Sequence, residues 1–396
     1  MTNMMAKKAL MLSINPRLLI WARESLGKTP AEAARQLRIN ERKLLDWETG
    51  KEKLRLAEVE CLAKAYKRPL AAFFLPKPPN ETPGPADFRA LPEDRRKPIS
   101  STTLLAVRRA RRLRSLFKEL NGKEMIPFTS SFLKIDLSQR PDPEILSARV
   151  RESLGVGIDA QRVWKDESTA LAAWRMAVEK QGILIFQMPF PLEEGRGFSL
   201  ADDNPPVIVV NSKDAVNGRI FSLLHELGHI LQDKSGLCDM AYQENIQGEN
   251  AKVEVFCNHL AGAIMVPKND LLDMETVKSM GEASQLPEKS LGDIASAFHV
   301  SREVALRRLV ILGKVSNEFY IRKRDEWAKK ELRPRRGGKA DPPKKCLQEK
   351  GAPFVSRVLD SRREGKITYN DVADFLGIRL KHMARIEKMV KGKSAT

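Results

Sequence analysis

The chain has 396 residues but only four cysteines and five histidines, and both scarcities narrow its chemistry. Cys61, Cys238, Cys257 and Cys346 lie far apart and form no CxxC pair. A zinc knuckle or dithiol redox centre is therefore not expected, and the cysteines read as free thiols of a reducing cytosol. Long hydrophobic runs are missing as well. The apolar stretch after Lys7 and Lys8 is broken by Ser13, Asn15 and Pro16, so no signal peptide is expected. No run approaches the roughly 18 apolar residues that a membrane span needs, and no repeat recurs at a fixed period of about 20–50 residues. Acidic residues are in deficit, with 51 Asp and Glu against 69 Lys and Arg, a net charge of +18. Such a surplus favours polyanionic partners, because each neutralised phosphate releases a condensed counterion. These features describe a cytoplasmic protein with no membrane partner.

At about one domain per 100–200 residues, a chain of this length holds several units. Residues 14–76 read as five short helices. Pro16 opens the first and Gly27 ends it, Thr29 caps the second with Pro30 at its first position, and Asn40 caps the third, which Gly50 closes. Residues 77–100 form a Pro-rich linker. Residues 101–145 form a basic helical connector in which Arg108, Arg109, Arg111, Arg112 and Arg114 either grip phosphates or solvate a helix face. Residues 146–270 have an α+β pattern with a helix near 167–180, strands at 182–187 and 205–211, and helices at 220–232 and 248–265. A helical subdomain at 271–330, a basic linker at 331–350 and a helical unit at 351–390 follow.

The strongest chemical signal is His225-Glu226-Leu-Gly-His229. Four residues of α-helix turn through about 400°, so both imidazoles leave one face and can share a Zn²⁺ ion, while Glu226 is offset toward the role of general base. With five histidines, a chance HExxH has a probability on the order of one in a few hundred. Phe221, Leu224 and Ile230 supply apolar support. A catalytic zinc needs a third protein ligand. Glu254 is the best candidate, 25 residues beyond His229 on a second helical pattern, with Glu244 and Glu249 as alternatives. Cys257, Asn258, Ala261 and Ile264 give that helix a small, apolar face, and His259 lies off it. Pro205 and Pro206 suit an edge strand at 207–210 that could hold an extended substrate, the other reading being an ordinary core strand.

Four linked segments carry a family resemblance: Gly197-Phe-Ser-Leu200, Pro206-Val-Ile-Val-Val-Asn211, Phe221-x-x-x-His-Glu-Leu-Gly-His-Ile-Leu231 and Glu254-x-x-Cys-Asn-x-x-Ala-x-x-x-Met-Val-Pro267. Together they resemble the ImmA/IrrE zinc metallopeptidases. The resemblance implies a zincin-like α+β domain, Glu254 as third ligand and protein substrates, often helix-turn-helix repressors. It departs at Gln232, where many relatives carry a histidine.

Residues 29–50 have helix-turn-helix spacing and resemble the XRE/Cro type, including the Trp47-Glu48-x-Gly50 closure. Asn40, Arg42 and Lys43 at the start of the second helix are the candidate major-groove contacts, whereas Pro30 replaces a glutamine common in relatives. The competing reading is a protein-binding or dimerisation module. Similar patterns at 291–312 and 367–386 resemble carboxyl-terminal elements of long ImmA/IrrE proteins, and packing or substrate selection is favoured there over DNA reading. The expected fold is thus multidomain and mainly α, with an all-α helix-turn-helix domain, an α+β zincin-like domain and a helical carboxyl-terminal region. The expected function is a nucleoid-associated transcriptional regulator with a zinc-dependent endopeptidase domain that cleaves a repressor or antitoxin in a stress, prophage, defence or toxin–antitoxin setting. Its partners would be promoter or operator DNA, the protein substrate and a second copy in a homodimer. The alternative is a regulator or antitoxin whose zinc domain only senses or binds a partner.

Overall fold

Local signals set the helix ends at the amino terminus. α1 (Pro16–Glu24) begins where the Asn15 side chain accepts from the Arg17 N–H, with Pro16 in the first turn, where a missing N–H costs nothing. α2 (Pro30–Leu37) opens on a capping box between Thr29 and Glu32 and closes on Arg38 at φ 57°. α3 (Glu41–Glu48) is capped by Asn40, and α4 (Leu56–Ala65) and a 3₁₀ turn at Leu70–Phe74 complete the unit. Strands β1 (Met11–Leu12) and β2 (Leu54–Arg55) pair antiparallel. Two residues carry no period, so neither strand is legible in the sequence. Leu19, Ala33, Leu44, Trp47, Leu62 and Phe73 lie in the core, beside which Arg23 donates to both oxygens of buried Glu48, at 2.8 and 3.1 Å.

This computed structural model describes residues 11–80, 99–122, 141–232, 237–238, 249–280, 286–329 and 341–394. Most of the linker expected at 77–100, the end of the connector expected at 101–145 and the first half of the linker expected at 331–350 lie outside them. The chain divides into two units, and the division falls after Arg108, inside α5 (Ser101–Asn121). The arginines of α5 are largely paired within their own units. Arg108 donates to the carbonyls of Tyr66 and Lys67 at 3.3 and 3.0 Å. Arg114 meets Asp202 at 2.9 Å and Lys118 meets Asp203 at 2.7 Å.

In the second unit, α6 (Pro143–Leu154), α7 (Ile158–Arg162) and α8 (Glu167–Glu179) precede a sheet of β3 (Leu184–Met188), β4 (Gly197–Leu200), β5 (Val207–Asn211) and β6 (Leu237–Cys238). The strand order is β3-β5-β4-β6, with β3 and β5 parallel and the other pairs antiparallel. The expectation of an edge strand at 207–210 is therefore corrected. β5 is central, its Val-Ile-Val-Val run buried on both faces, as suits a strand covered on both sides. Pro205 and Pro206 precede the strand, so no ladder N–H is lost, and the Pro206 carbonyl accepts from Leu184 N–H at 3.0 Å.

After the sheet come α9 (Val216–Leu231), α10 (Glu249–Met265), α11 (Lys268–Leu272), α12 (Glu275–Lys278), α13 (Glu288–Ala297), α14 (Arg302–Ile311) and α15 (Asn317–Lys329). One hydrophobic core runs from Leu146 through the sheet and α9 to Tyr320, so the segments expected at 146–270 and 271–330 are built around common packing. The last helices are α16 (Pro342–Lys350), α17 (Ala352–Arg363), α18 (Tyr369–Leu376), a 3₁₀ turn at Leu380–His382 and α19 (Met383–Ser394). α16 lies along β3, and Phe354 at the start of α17 meets Phe186 of β3 edge-on at 5.9 Å. No described helix is long and apolar enough to cross a membrane.

A charge cluster built on a buried arginine ties α6, α10 and α14 together. Arg308, only 1% exposed, donates to both oxygens of Glu144 at 2.7 and 2.9 Å and to the Val266 carbonyl at 3.0 Å, and His259 meets Glu144 at 2.6 Å. Burial raises the Glu144 pKa, but Arg308 and His259 outweigh it and hold the carboxyl below its ordinary value. A folded value below the unfolded one stabilises at neutral pH, and this contribution disappears as pH falls below about 4. Arg308→Met leaves half-buried Glu144 without its guanidinium and should cost about 1–3 kcal/mol in urea unfolding at neutral pH. A variant within about 0.5 kcal/mol of wild type would show that the pair does not hold these helices.

Candidate functional site

The HExxH segment lies in the middle of α9, whose residues from Ile220 to Ile230 are all buried. α8, β4, β5 and α10 pack against this helix, so its polar side chains have few directions in which to point. His225 and His229 are one turn apart with Nε2 atoms 3.0 Å from each other. Glu254 on α10 completes the cluster, its Oε2 3.2 Å from His225 Nε2 and its Oε1 3.1 Å from His229 Nε2. All three side chains are buried, and they are the only group of three or more metal-ligating side chains found among the described residues.

The donor chemistry fits a zinc ion. Asn258 Oδ1 lies 3.0 Å from His225 Nδ1 and, accepting from it, would turn Nε2 toward the cluster as a metal ligand. Nε2 then faces a carboxylate oxygen at 3.2 Å, a contact that either a shared proton or a bound cation bridges. Tetrahedral zinc with bonds of about 2.0–2.1 Å has ligand atoms roughly 3.3 Å apart, close to the three separations seen. Burial raises the Glu254 pKa, yet the two imidazoles outweigh it and hold the carboxyl far below the usual range, so Glu254 is anionic at any physiological pH. His225, His229 and Glu254 would hold the metal. Of the alternatives, Glu244 lies outside the described residues and the side chain of Glu249 is likewise not described.

A close crossing of α9 and α10 builds this arrangement. A Cβ on Gly228 would stand 3.1 Å from Cys257 Sγ and 3.4 Å from Cys257 Cα, so any side chain there would push Cys257 and its helix back by a few tenths of an ångström. Cys257 is three residues after Glu254 and Gly228 three after His225, which sets carboxylate and imidazoles opposite each other one turn from the crossing. Gln232 donates to Cys257 Sγ at 3.1 Å and to the Gly228 carbonyl at 3.3 Å, placing it at the crossing and outside the metal cluster. Glu226 is fully buried beside β4, where a Cβ on Gly197 would come within 3.4 Å of its side chain.

Two supporting residues escaped the sequence analysis. Asn258 was read only as part of a small face, although four residues beyond a presumed ligand is the spacing of a helix neighbour. Asn211 closes β5 and donates to the carbonyls of Phe190 and Gly195, both at 3.0 Å, fixing the loop that leads into β4.

The candidate DNA contacts lie at the start of α3. Asn40 Oδ1 is engaged as the cap, accepting from Arg42 N–H at 2.8 Å. Arg42 is exposed. Lys43 is held by Glu58 at 3.0 Å and lies 5.0 Å over the Trp47 ring, so of the three Arg42 is the side chain left to reach outward.

Wild-type protein should carry about one zinc per chain by elemental analysis, with His225→Ala, His229→Ala and Glu254→Ala each greatly reducing it and Glu226→Gln retaining it. Gly228→Val should reduce occupancy without touching a ligand. Full occupancy in Glu254→Ala would remove Glu254 from the ligand set.

Among curated proteins, none matches the chain. Residues 178–310, which carry β3, β4, β5, both helices of the His–His–Glu cluster and most of α14, match the family model described as the IrrE N-terminal-like domain, Peptidase_M78, so this part of the chain is similar to that metallopeptidase-type domain.

Proposed function

We propose that the chain is a DNA-bound regulator whose domain around α9 is a zinc-dependent endopeptidase acting on a protein, of which a repressor or antitoxin is the leading class. The observation that carries this reading is the buried His225–His229–Glu254 cluster with Glu226 on the same helix. A structural zinc site has four protein ligands, whereas the three found among the described residues would leave a coordination position open. Bound zinc supplies Lewis acidity to a water molecule and to the scissile carbonyl. Glu226 takes the proton of the attacking water and returns it to the leaving amine. Asn258 holds the His225 ring in one orientation and tautomer, as a partner of a metal-ligating histidine does. The apolar walls around α9 exclude bulk water and strengthen these interactions.

The amino-terminal unit supports the DNA-binding half of the proposal through its capped α2, the left-handed turn at Arg38 and the exposed start of α3. Localisation at the nucleoid in the cytoplasm follows from it. Arg42→Ala should weaken binding to the cognate promoter, and Lys43→Ala, whose lysine is already held by Glu58, should weaken it less. Anisotropy titration against promoter fragments checks the order, and equal, unchanged affinities for both variants would favour a protein-binding module.

The test of turnover is Glu226→Gln, because an amide cannot take a proton. The variant should keep its fold and zinc while cleavage of proteins encoded beside it falls by roughly 10²–10⁴-fold. If wild type and variant regulate the same genes and neither cleaves any such protein, the domain is a binding fold and the peptidase reading is withdrawn.

A further inference from the structure

We infer that the carboxyl-terminal helices α16–α19 form a second binding site for duplex DNA, on the outward face of the 3₁₀ turn at Leu380–His382 and α19. The first observation is a shared local geometry. In the amino-terminal unit a capping threonine, Thr29, is followed nine residues later by a left-handed residue, Arg38, and eleven residues later by the cap of the next helix, Asn40. Thr368, Gly377 and Arg379 repeat this spacing, with a Thr368–Asp371 capping box and Gly377 at φ 62°. The inward positions correspond too. Val372, Leu376, Ile378, Met383 and Ile386 are buried where Ala33, Leu37, Ile39, Leu44 and Trp47 face inward in the first unit. α18 and the helical segment after it are therefore a helix-turn-helix in physical terms, and the buried face of α19 packs on α16 and α17.

The second observation is charge. Residues 379–391 hold five Lys or Arg and one acidic residue, Glu387. Lys381, Arg385, Lys388 and Lys391 recur at helical spacing opposite Met383, Ile386 and Val390, and all four are exposed. Arg385 is paired with Asp341 at 2.9 Å, leaving three lysines on this face. At the corresponding places the amino-terminal unit has Arg42, Asp46, Thr49 and Glu52, so the carboxyl-terminal copy presents the more cationic face. A third copy, α13–α14, repeats the turn with His299 at φ 52° and Ser301 as cap. There Leu306, Arg308 and Leu309 are buried, and Glu303, Arg307 and Val310, at the places of Lys381, Arg385 and Lys388, are half-buried. A convex basic helix suits the B-form major groove and its flanking phosphates, whereas the deep, narrow major groove of duplex RNA does not admit side chains.

The inference is tested on the full-length, zinc-loaded protein with a fluorescent DNA duplex of about 20 base pairs and mixed sequence, titrated between about 50 and 200 mM salt. In K381Q/K388Q/K391Q affinity should drop by on the order of tenfold to a hundredfold near 0.1 M salt, and the slope of log K against log salt should shrink by about 2–3. K381R/K388R/K391R should bind as wild type does, which separates charge from misfolding. Exposed lysines elsewhere give the control: K180Q/K213Q/K268Q removes the same charge and should leave the slope nearly intact. An unchanged slope in the first variant overturns the inference, and so does an equal fall in the control, which would mean diffuse attraction. Loss of binding to poly-glutamate with duplex binding intact also overturns it, in favour of an acidic protein partner. Arg42→Ala, measured alongside, reports on the amino-terminal reading separately, since its failure leaves the comparison of lysine variants untouched.

Discussion

The approach of α9 and α10 at Gly228 and Cys257 is the constraint on which the site depends. Zinc ligation tolerates errors of only a few tenths of an ångström, and a carboxylate on one helix can be held to that precision against imidazoles on another only if the two backbones are locked by packing. The lock is steric, with no side chain at Gly228 and a small one at Cys257. It is backed by Leu224, Leu227, Leu260, Ala261 and Ile264, all fully buried. Displacing one helix by even a methyl group would separate His225 and His229 from Glu254 while leaving every ligand present in the sequence. The polar tie from Gln232 to Cys257 then closes the end of the crossing.

Outside that contact, buried polar groups share the work of orientation. Asn258 fixes His225, and Asn211 fixes the turn before β4, which carries Gly197 to within reach of Glu226. Arg308, Glu144 and His259 hold the far side of α10 to α6 and α14. The charged residues of this cluster come from three helices spread over more than 160 residues of chain, so packing at a distance from the metal cluster bears on where Glu254 sits. Burying a carboxylate and a guanidinium contributes little net stability, but their directional bonds select one arrangement of the three helices over others.

Much of this was legible in the sequence, for identifiable reasons. Caps and stops act over one turn, so Thr29, Asn40, Pro16 and Gly50 place the amino-terminal helices closely, and HExxH encodes its geometry in four residues. Glu254 could be nominated from spacing, but not fixed, because the choice among Glu244, Glu249 and Glu254 depends on how two helices cross. The strand at 207–210 was misplaced for a similar reason: two prolines and an apolar run describe a strand without saying which strands flank it. β4 was noticed as a motif but not as a strand, since four residues with a glycine and a serine carry little periodicity. Asn258 went unrecognised because its role exists only once His225 is opposite it.

The helix-turn-helix register shows where such reading stops. The inward pattern that makes the turn recurs at α2–α3, α13–α14 and α18–α19, with a left-handed residue after the first helix of each pair: Arg38, His299 and Gly377. Local sequence therefore specifies the same backbone three times. What the second helix can do is set by the residues it presents on its other side. Val304, Ala305, Leu306, Arg308 and Leu309 bury much of α14, Glu41 and Asp46 temper the charge of α3, and Lys381, Lys388 and Lys391 leave the 3₁₀ turn and α19 facing water with a row of cations. The shared inward residues do not distinguish the three. Function divides them by the outward residues, which the motif leaves free to vary.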